Sequence, residues 1–194
     1  MKKGLLIALG IILLLGFMLA GSYNGLVTSR EAVDEKWAQV ENVYQRRLDL
    51  IPNLIATVKG YAAHEKQTLT DVIEARNKAL QTKIDVGSLN NEAKFEAFAK
   101  AQDKLSSVLS RLMVVVERYP DLKASQNFLA LQSQLEGTEN RIAVERKRYN
   151  QAVRSYNTMI RRFPTNMIAS AFGFGKVTYF KSAPEAATVP KVEF

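Results

Sequence analysis

Apolar residues recur at alternating steps of three and four along most of this 194-residue chain. This spacing places them on one face of an α-helix. Four such series can be traced: Val33, Trp37, Val40 and Tyr44; Ile51, Ile55, Val58, Ala62, Leu69, Val72 and Ala79; Phe95, Phe98, Leu105, Leu109, Leu112, Val116 and Tyr119; and Phe128, Leu131, Leu135, Ile142, Tyr149, Ala152, Tyr156, Met159 and Phe163. Helices that are apolar on one face bury that face against neighbouring helices.

Turn-forming residues separate the four series and predict where the helices end. Residues 49–52 predict the first corner, because Asp49 can cap a helix and Pro52 is tolerated in a first turn. The polar stretch 85–92, the corner at 119–121 and Pro164 mark the later boundaries. The sequence therefore predicts an all-α fold, with an antiparallel bundle of four long helices over residues 26–164. An irregular tail over 165–194 follows, in which residues 177–180 fit a strand or an extended segment.

The N-terminal stretch 4–21 is uncharged and mostly large and apolar. Eighteen such residues reach the lower limit for crossing a bilayer. Positions expected inside the membrane include Leu5, Ile12, Leu15 and Leu19. Lys2 and Lys3 precede the stretch and are nearly balanced by Arg30 and Lys36 after it, and the N-terminal amine tips the count. We therefore expect a single-pass protein of the bacterial inner membrane with a cytoplasmic N-terminus and a periplasmic bundle. A cleaved signal peptide fits the same stretch, since residues 20–22 are small, and both interpretations stay open.

The predicted helix lengths do not match, and this mismatch suggests a hinge. A fourth helix over residues 122–163 is about 60 Å long, whereas the extramembrane part of the first helix reaches about 40 Å. An upright bundle would push the arginines at the end of the fourth helix into lipid. We therefore assign residues 1–25 to a signal-anchor and hinge, because residues 21–25 contain two glycines and would let the bundle tilt.

Polar residues interrupt the apolar series at core positions. They are Arg47, Glu65, Arg76, Gln102, Thr138 and Glu145. In straight helices Arg76 and Glu145 lie at nearly the same depth, whereas Glu65, Gln102 and Thr138 share one layer. Such layers are expected to fix the helix register. Two alternatives are a functional polar pocket and helix curvature that turns these side chains towards solvent.

The stretch 46–65 contains the only histidine of the chain, His64, and therefore raises the question of catalysis. A zinc protease helix needs a second histidine four residues later, where this chain has Thr68. The chain also has no Gly-x-Ser-x-Gly nucleophile motif and no cysteine. We predict no enzymatic activity, no metal and no cofactor. We interpret residues 46–65 as a corner followed by the first turns of the second helix, with His64 beside the packed face.

The end of the fourth helix is basic, and alternating helix directions bring it back towards the membrane. Its bases are Arg146, Lys147, Arg148, Arg154, Arg161 and Arg162. We predict that Arg154, Arg161, Arg162, Phe172 and Phe174 face anionic lipid headgroups or a neighbouring subunit. A solvated helix end is the alternative. The net charge of +8 suits a lipid surface, and without a recognisable nucleic-acid-binding motif we expect no nucleic-acid partner.

Short motifs throughout the chain resemble the LemA family of bacterial membrane proteins. They are “YNGLV” at 23–27, Trp37, “RRLDLIPNLI” at 46–55, “VKGYAAHE” at 58–65, “EAR” at 74–76, “YPDLKA” at 119–124, “LEGTENRI” at 135–142, “RYN” at 148–150, “SYN” at 155–157, “FP” at 163–164 and “FGF” at 172–174. The resemblance covers nearly the whole chain from Tyr23. It implies a membrane segment, a helical bundle and a place in the bacterial envelope, and it supplies no catalytic residues.

These observations together predict a non-enzymatic scaffold or adaptor anchored in the bacterial envelope. Its expected partners are membrane lipids, further copies of the chain and other envelope membrane proteins, because regular heptads can recruit helices from other molecules. One alternative is a sensor module whose polar layer responds to a ligand or a proton. Another is a protein that remodels the membrane directly.

Overall fold

The computed structural model describes residues 2–181, and every regular element in this range is helical, which confirms the all-α prediction. The elements are α1 (Lys2–Tyr61), α2 (Lys66–Gln81), a 3-10 turn (Val86–Ser88), α3 (Glu92–Val116), α4 (Pro120–Lys123), α5 (Gln126–Met159) and α6 (Thr165–Ala171). Residues 174–181 are extended but form no regular strand. The predicted tail over 165–194 thus contains a helix, and residues 182–194 lie outside the described part of the chain.

The first part of α1 is long and apolar enough to cross a membrane. Its side chains project away from the rest of the chain, as shown by Leu5, Ile12 and Leu19, which are 75%, 65% and 55% exposed. Leu15 belongs to the same helix, but its side chain lies outside the described part. The helix continues without a break through residues 21–25, so the stretch predicted to form a hinge is helical.

The first corner is not at residues 49–52, where the sequence predicts it, because α1 continues to Tyr61 with Pro52 inside it. A proline within a helix has no N–H to donate to the carbonyl four residues earlier. Here that carbonyl belongs to Leu48, and it accepts a hydrogen bond of 2.9 Å from Arg76 Nε on α2. The guanidinium therefore replaces the missing backbone donor, and this is why the helix can pass through Pro52.

The later corner also removes the predicted length mismatch. The part of α1 beyond the apolar stretch, residues 22–61, is about 60 Å long, and α5 is about 51 Å long. The fourth helix is shorter than predicted because α4 is a separate turn and α5 ends at Met159. Phe163, which the sequence assigns to the apolar face of the fourth helix, lies beyond α5 and is 81% exposed.

We expect Arg76→Met to lower the free energy of unfolding by about 1.5–3 kcal/mol, because it leaves the Leu48 carbonyl without a donor. In a Pro52→Ala background the new backbone N–H can donate to this carbonyl, so the same substitution should cost less than about 1 kcal/mol. Urea denaturation of the four variants, followed by circular dichroism in mild detergent, measures the difference. Equal costs in the two backgrounds would show that Arg76 does not compensate for the proline.

The long helices alternate in direction. Arg47 pairs with Glu139 and Tyr44 with Arg146, so α5 runs antiparallel to α1. The pairs Glu65–Arg118 and Asp71–Arg111 make α2 and α3 antiparallel in the same way. As a result the end of α5 returns to the part of α1 that follows the apolar stretch.

Three buried clusters follow one another along α1. The distal core contains Leu48, Ile51, Leu54 and Val58 of α1 and Ala62 just after it, packed against α2, α3 and α5. The aromatic core is built around Val33, Trp37, Val40 and Tyr44. The proximal core contains Leu26, Ile168 and Ala169 and lies nearest the apolar stretch.

Residues of α1, α2, α3 and α5 meet in the distal core, whereas the bundle of four long helices predicted for residues 26–164 does not extend through the other two cores. The buried residues of α2, namely Leu69, Val72, Ala75 and Ala79, all belong to that core. In the aromatic core the place of α2 is taken by Ile84 and Leu89 of the following loop and by Val177 and Phe180 of the tail. Because α1 ends late while the turn at 85–92 lies where the sequence predicts it, α2 has only 16 residues.

Candidate functional site: a collar beside the apolar helix and a clamped tail

The end of α5 lies beside the first turns of α1 that follow the apolar stretch. Gly25 permits this approach, because Met159 Cε lies 3.2 Å from where a Cβ at position 25 would be. Beyond α5, the helix α6 buries Ile168 and Ala169 against Leu26. The chain thus returns to the region where a membrane containing residues 4–21 would end.

Aromatic and apolar side chains surround this region. Tyr23 packs edge-on against Phe172 and Phe174, with ring centroids 5.0 and 5.8 Å away. The turn between the two phenylalanines requires Gly173, whose φ of +76° is unfavourable for other residues. Phe172 is largely exposed (66%), and so are two further apolar side chains, Phe163 (81%) and Met167 (63%). Together with Arg161 and Arg162, residues Tyr23, Phe163, Met167, Phe172 and Phe174 form what we call the collar.

Five of the six bases near the end of the fourth predicted helix fall into two groups. Arg146 bonds Asp103 and Arg148 bonds Glu145, at 2.9 and 2.7 Å. Arg146 also donates a hydrogen bond to Tyr44, and Tyr44 is about 29 Å along α1 from Gly25. Arg146 is therefore remote from the collar. Arg154, Arg161 and Arg162 are exposed near the end of α5 and form no ion pair with any acid among residues 2–181.

The structure does not bring the predicted polar layers together. Glu65 lies in the turn after α1 and accepts hydrogen bonds from Arg118 Nη2 (2.9 Å) and the Tyr119 hydroxyl (2.8 Å). Both partners lie beyond the end of α3, more than 15 residues along the chain from Gln102, so Glu65 does not share its layer. Thr138 donates to the Gln134 carbonyl within α5 at 2.7 Å.

The predicted match in depth between Arg76 and Glu145 does not lead to contact either. Arg76 donates to the Leu48 carbonyl, whereas Glu145 pairs with Arg148 in its own helix. The polar group that does form inside the helical region is centred on Arg47, which is 1% exposed. Its guanidinium donates to Gln102 Oε1 (2.5 Å), Ser106 Oγ (2.8 Å) and Glu139 Oε2 (2.9 Å).

The extended tail is held on α5 by two asparagines. Asn157 Nδ2 donates to the Val177 carbonyl at 2.8 Å and its Oδ1 accepts from the Val177 N–H at 3.0 Å. Asn150 makes the same pair of bonds with the backbone of Phe180, both at 2.9 Å. An amide side chain has a donor and an acceptor side by side, so each asparagine satisfies both backbone groups of one tail residue.

Two tyrosines complete this arrangement. The hydroxyl of Tyr149 donates to the Thr178 carbonyl at 3.0 Å, and that of Tyr156 donates to the Gly175 carbonyl at 3.1 Å. Burial raises the pKa of the Tyr149 phenol well above its ordinary value, so it stays protonated and able to donate. We call Tyr149, Asn150, Tyr156 and Asn157 the tail clamp.

The side chain of Phe180 enters the aromatic core. Its ring centroid lies 6.1 Å from that of Trp37 and 4.8 Å from that of Phe95, and the Arg146 guanidinium lies 4.7 Å from its centre. The clamp therefore fixes the tail on one side of the 172–174 turn, while α6 fixes the chain on the other. As a result the aromatic side of the collar is held in place from both directions.

The sequence contains a signal for the clamp that residue-by-residue reasoning misses. The dipeptide Tyr-Asn occurs at 149–150 and again seven residues later at 156–157. Seven residues are nearly two helical turns, so the two pairs lie on the same face of α5. The apolar spacing predicts the buried tyrosines, but nothing in it indicates that the asparagines bind backbone.

Catalytic chemistry gains no support from the side chains in residues 2–181. His64 is exposed in the turn between α1 and α2, not beside a packed face of the second helix. Within the described range, no group of three or more His, Asp or Glu side chains is arranged to hold a metal ion. The collar is suited to bind another molecule, because it offers arginines without ion pairs in the described range and exposed aromatic rings beside an apolar helix.

The sequence is similar to several bacterial proteins. A model of the LemA family matches residues 36–194. Magnetosome protein MamQ of Magnetospirillum gryphiswaldense is 27% identical, over 95% of this chain and 74% of that protein. Magnetosome protein MamQ 2 of Paramagnetospirillum magneticum is 30% identical, over 86% of this chain and 67% of that protein. Protein LemA of Metamycoplasma hominis is 24% identical, over 86% and 72% of the two chains.

Proposed function

Because the chain belongs to the LemA family, we propose that it is a non-enzymatic scaffold anchored in the bacterial envelope. In this proposal α1 crosses the inner membrane once and continues outward as the rod on which the other helices pack. The collar rests on the lipid headgroups, and the distal end is presented at a fixed distance from the membrane. The position of the collar beside residues 23–26 is the observation that carries the proposal.

The dimensions of α1 suit this arrangement. Residues 4–21 are about 27 Å long, close to the hydrocarbon thickness of about 30 Å. Tyr23 then lies at the membrane interface, where tyrosine is enriched in membrane proteins. Each arginine close to an anionic leaflet contributes about 1 kcal/mol, so Arg161 and Arg162 favour contact with the headgroups.

Lys2 and Lys3 favour a cytoplasmic N-terminus, which places the helical part of the chain in the periplasm. Self-association is part of the proposal, because Gly16 and Ala20 are four residues apart on the exposed apolar helix and allow a second helix to approach closely. Other envelope membrane proteins are further proposed partners.

The sensor alternative loses support, since Glu65, Gln102 and Thr138 are each hydrogen bonded to protein groups rather than facing a shared cavity.

A single spin label tests where the collar lies. The chain has no cysteine, so Phe172→Cys provides a unique attachment site in the full-length protein. In vesicles containing anionic lipid, we expect relaxation of the label by lipid-soluble oxygen to exceed relaxation by a water-soluble nickel complex. Arg161→Glu with Arg162→Glu should move the label towards the aqueous phase, because like charges then repel.

The matched control is Leu129→Cys, which is about half exposed near the distal end of α5 and should report water in all cases. A label at position 172 that behaves like the one at 129 would contradict the proposal.

Cross-linking in living cells followed by mass spectrometry tests self-association and partners. Recovery of only random abundant proteins, with no contact between copies, would argue against a scaffold.

A further inference from the structure

A groove of about 570 Å³ opens beside the collar, between α1, the end of α5 and the start of α6. Its polar lining consists of Ser29, Arg154, Ser155, Thr158, Arg162 and Thr165. These residues supply two guanidinium groups and four hydroxyls, and no acidic residue of the described range 2–181 lines the groove. Phe163, the most exposed aromatic residue of the collar, forms its edge together with Met159.

The polar side chains of this groove have no protein partners among residues 2–181. Arg154 and Arg162 form no ion pair there, and none of the four hydroxyls makes a hydrogen bond to a described protein group. Two other arginines of α5, Arg146 and Arg148, are paired with carboxylates, whereas Arg141 forms no ion pair within residues 2–181. Converging donors without an acceptor are suited to bind an anion that offers several oxygens.

The position of the groove indicates which anion it meets. Ser29 is six residues beyond Tyr23, so it lies about 9 Å above the level of that ring along α1. The headgroup layer occupies roughly 5–8 Å on each side of the hydrocarbon core. Arginine side chains that reach down from the groove therefore meet the phosphates of the adjacent leaflet, while the Phe163 ring can enter the interface beside them.

We infer that this groove is a binding site for the phosphate group of one anionic lipid, held by Arg154 and Arg162 with help from the surrounding hydroxyls. The inference rests on the proposed function, because it requires the collar to lie at the membrane. It goes further by separating one specific lipid site from the general attraction of Arg161 and the collar to a charged surface. Guanidinium groups suit this role, since they can bind phosphate with two parallel hydrogen bonds.

The test uses phosphatidic acid, a lipid with an exposed phosphate, in vesicles that contain the full-length protein and are otherwise neutral. Native mass spectrometry then counts the phosphatidic acid molecules that each protein retains. We expect one retained molecule for the natural chain. Because each arginine contributes about 1 kcal/mol, or about fivefold, Arg154→Gln with Arg162→Gln should weaken retention about 25-fold.

The matched control is Arg141→Gln with Lys147→Gln, which removes the same charge from exposed positions of α5 farther from the collar. It should change retention less than about twofold, because screening limits charge effects to about 8 Å at physiological salt. Emission of Trp37, the only tryptophan, verifies that both variants keep the aromatic core. Equal retention by the groove variant and the control would overturn the inference.

A second arm distinguishes a lipid from a soluble phosphate. Glycerol 3-phosphate is added to protein in neutral vesicles, and its retention is compared with that of phosphatidic acid. Retention of the soluble ester without retention of the lipid would contradict the assignment to a lipid. If retention does not depend on the groove while the label at position 172 still reports headgroup depth, the lipid site is wrong and the proposed function stands.

Discussion

Replacing Asn157 by leucine is expected to lower the free energy of unfolding by about 2–4 kcal/mol. The side chain is fully buried and bonds both the N–H and the C=O of Val177. Leucine has nearly the same size but neither a donor nor an acceptor, so two backbone groups are left buried and unpaired, at about 1–3 kcal/mol each. Partial release of the tail lets water reach these groups and therefore limits the total loss of stability.

Trp37 provides the measurement, because its ring lies next to that of Phe180. Urea denaturation of the full-length protein in mild detergent, followed by tryptophan emission, should show a lower midpoint and a red-shifted folded baseline. The matched control is Asn140→Leu, an exposed asparagine of the same helix. If the two variants lose equal stability and keep the same folded emission, the clamp contributes nothing beyond the effect of adding a leucine.

Replacing Glu139 by leucine is expected to cost about 3 kcal/mol, although its own side chain is half exposed. The loss arises at Arg47, whose buried guanidinium would keep only neutral partners, Gln102 and Ser106. Removing one member of a pair that contains a buried charge typically costs 3–5 kcal/mol, and access of water to position 139 places this pair at the low end.

The expected cost depends on the charge of Arg47, and a combined variant tests this. Adding Arg47→Met and Gln102→Leu to Glu139→Leu removes the charge and its buried acceptor together, so most of the lost stability should return. Thermal unfolding by circular dichroism compares the single and triple variants. A triple variant that is less stable than Glu139→Leu would show that Arg47 stabilises the fold through more than these polar contacts.

The apolar spacing is enough to predict the helices and most of the core. Val33, Trp37, Val40 and Tyr44 are all buried, as steps of three and four require. The error at Pro52 has a specific cause: proline is usually found in a first turn, and only a tertiary contact from Arg76 makes it tolerable inside α1. No local pattern contains that contact, since the two residues belong to different helices.

In the candidate site, too, some features can be predicted from the sequence and others cannot. Arg161, Arg162, Phe172 and Phe174 are predicted from their sequence position at the end of the last long helix. The structure places Phe172 and Phe174 against Tyr23, and the two arginines directly after α5. Glu65 and Arg76 lie apart from their expected layer partners because α1 ends about 10 residues later than the predicted corner, which shifts α2 relative to the other helices. The tail clamp depends on where an extended segment lies against α5, and helical periodicity carries no information about such a segment.

If the collar, and not the distal end, meets the lipid headgroups, lipids should mark the two ends of the helical region unequally. Phospholipids with a photoreactive headgroup can be cross-linked to the full-length protein in vesicles, and mass spectrometry then maps the modified residues. We expect modification at residues 23–30 and 161–174, with little at 62–65 and 117–125. Modification that is spread equally over both ends, or confined to the distal turns, would contradict this placement of the collar.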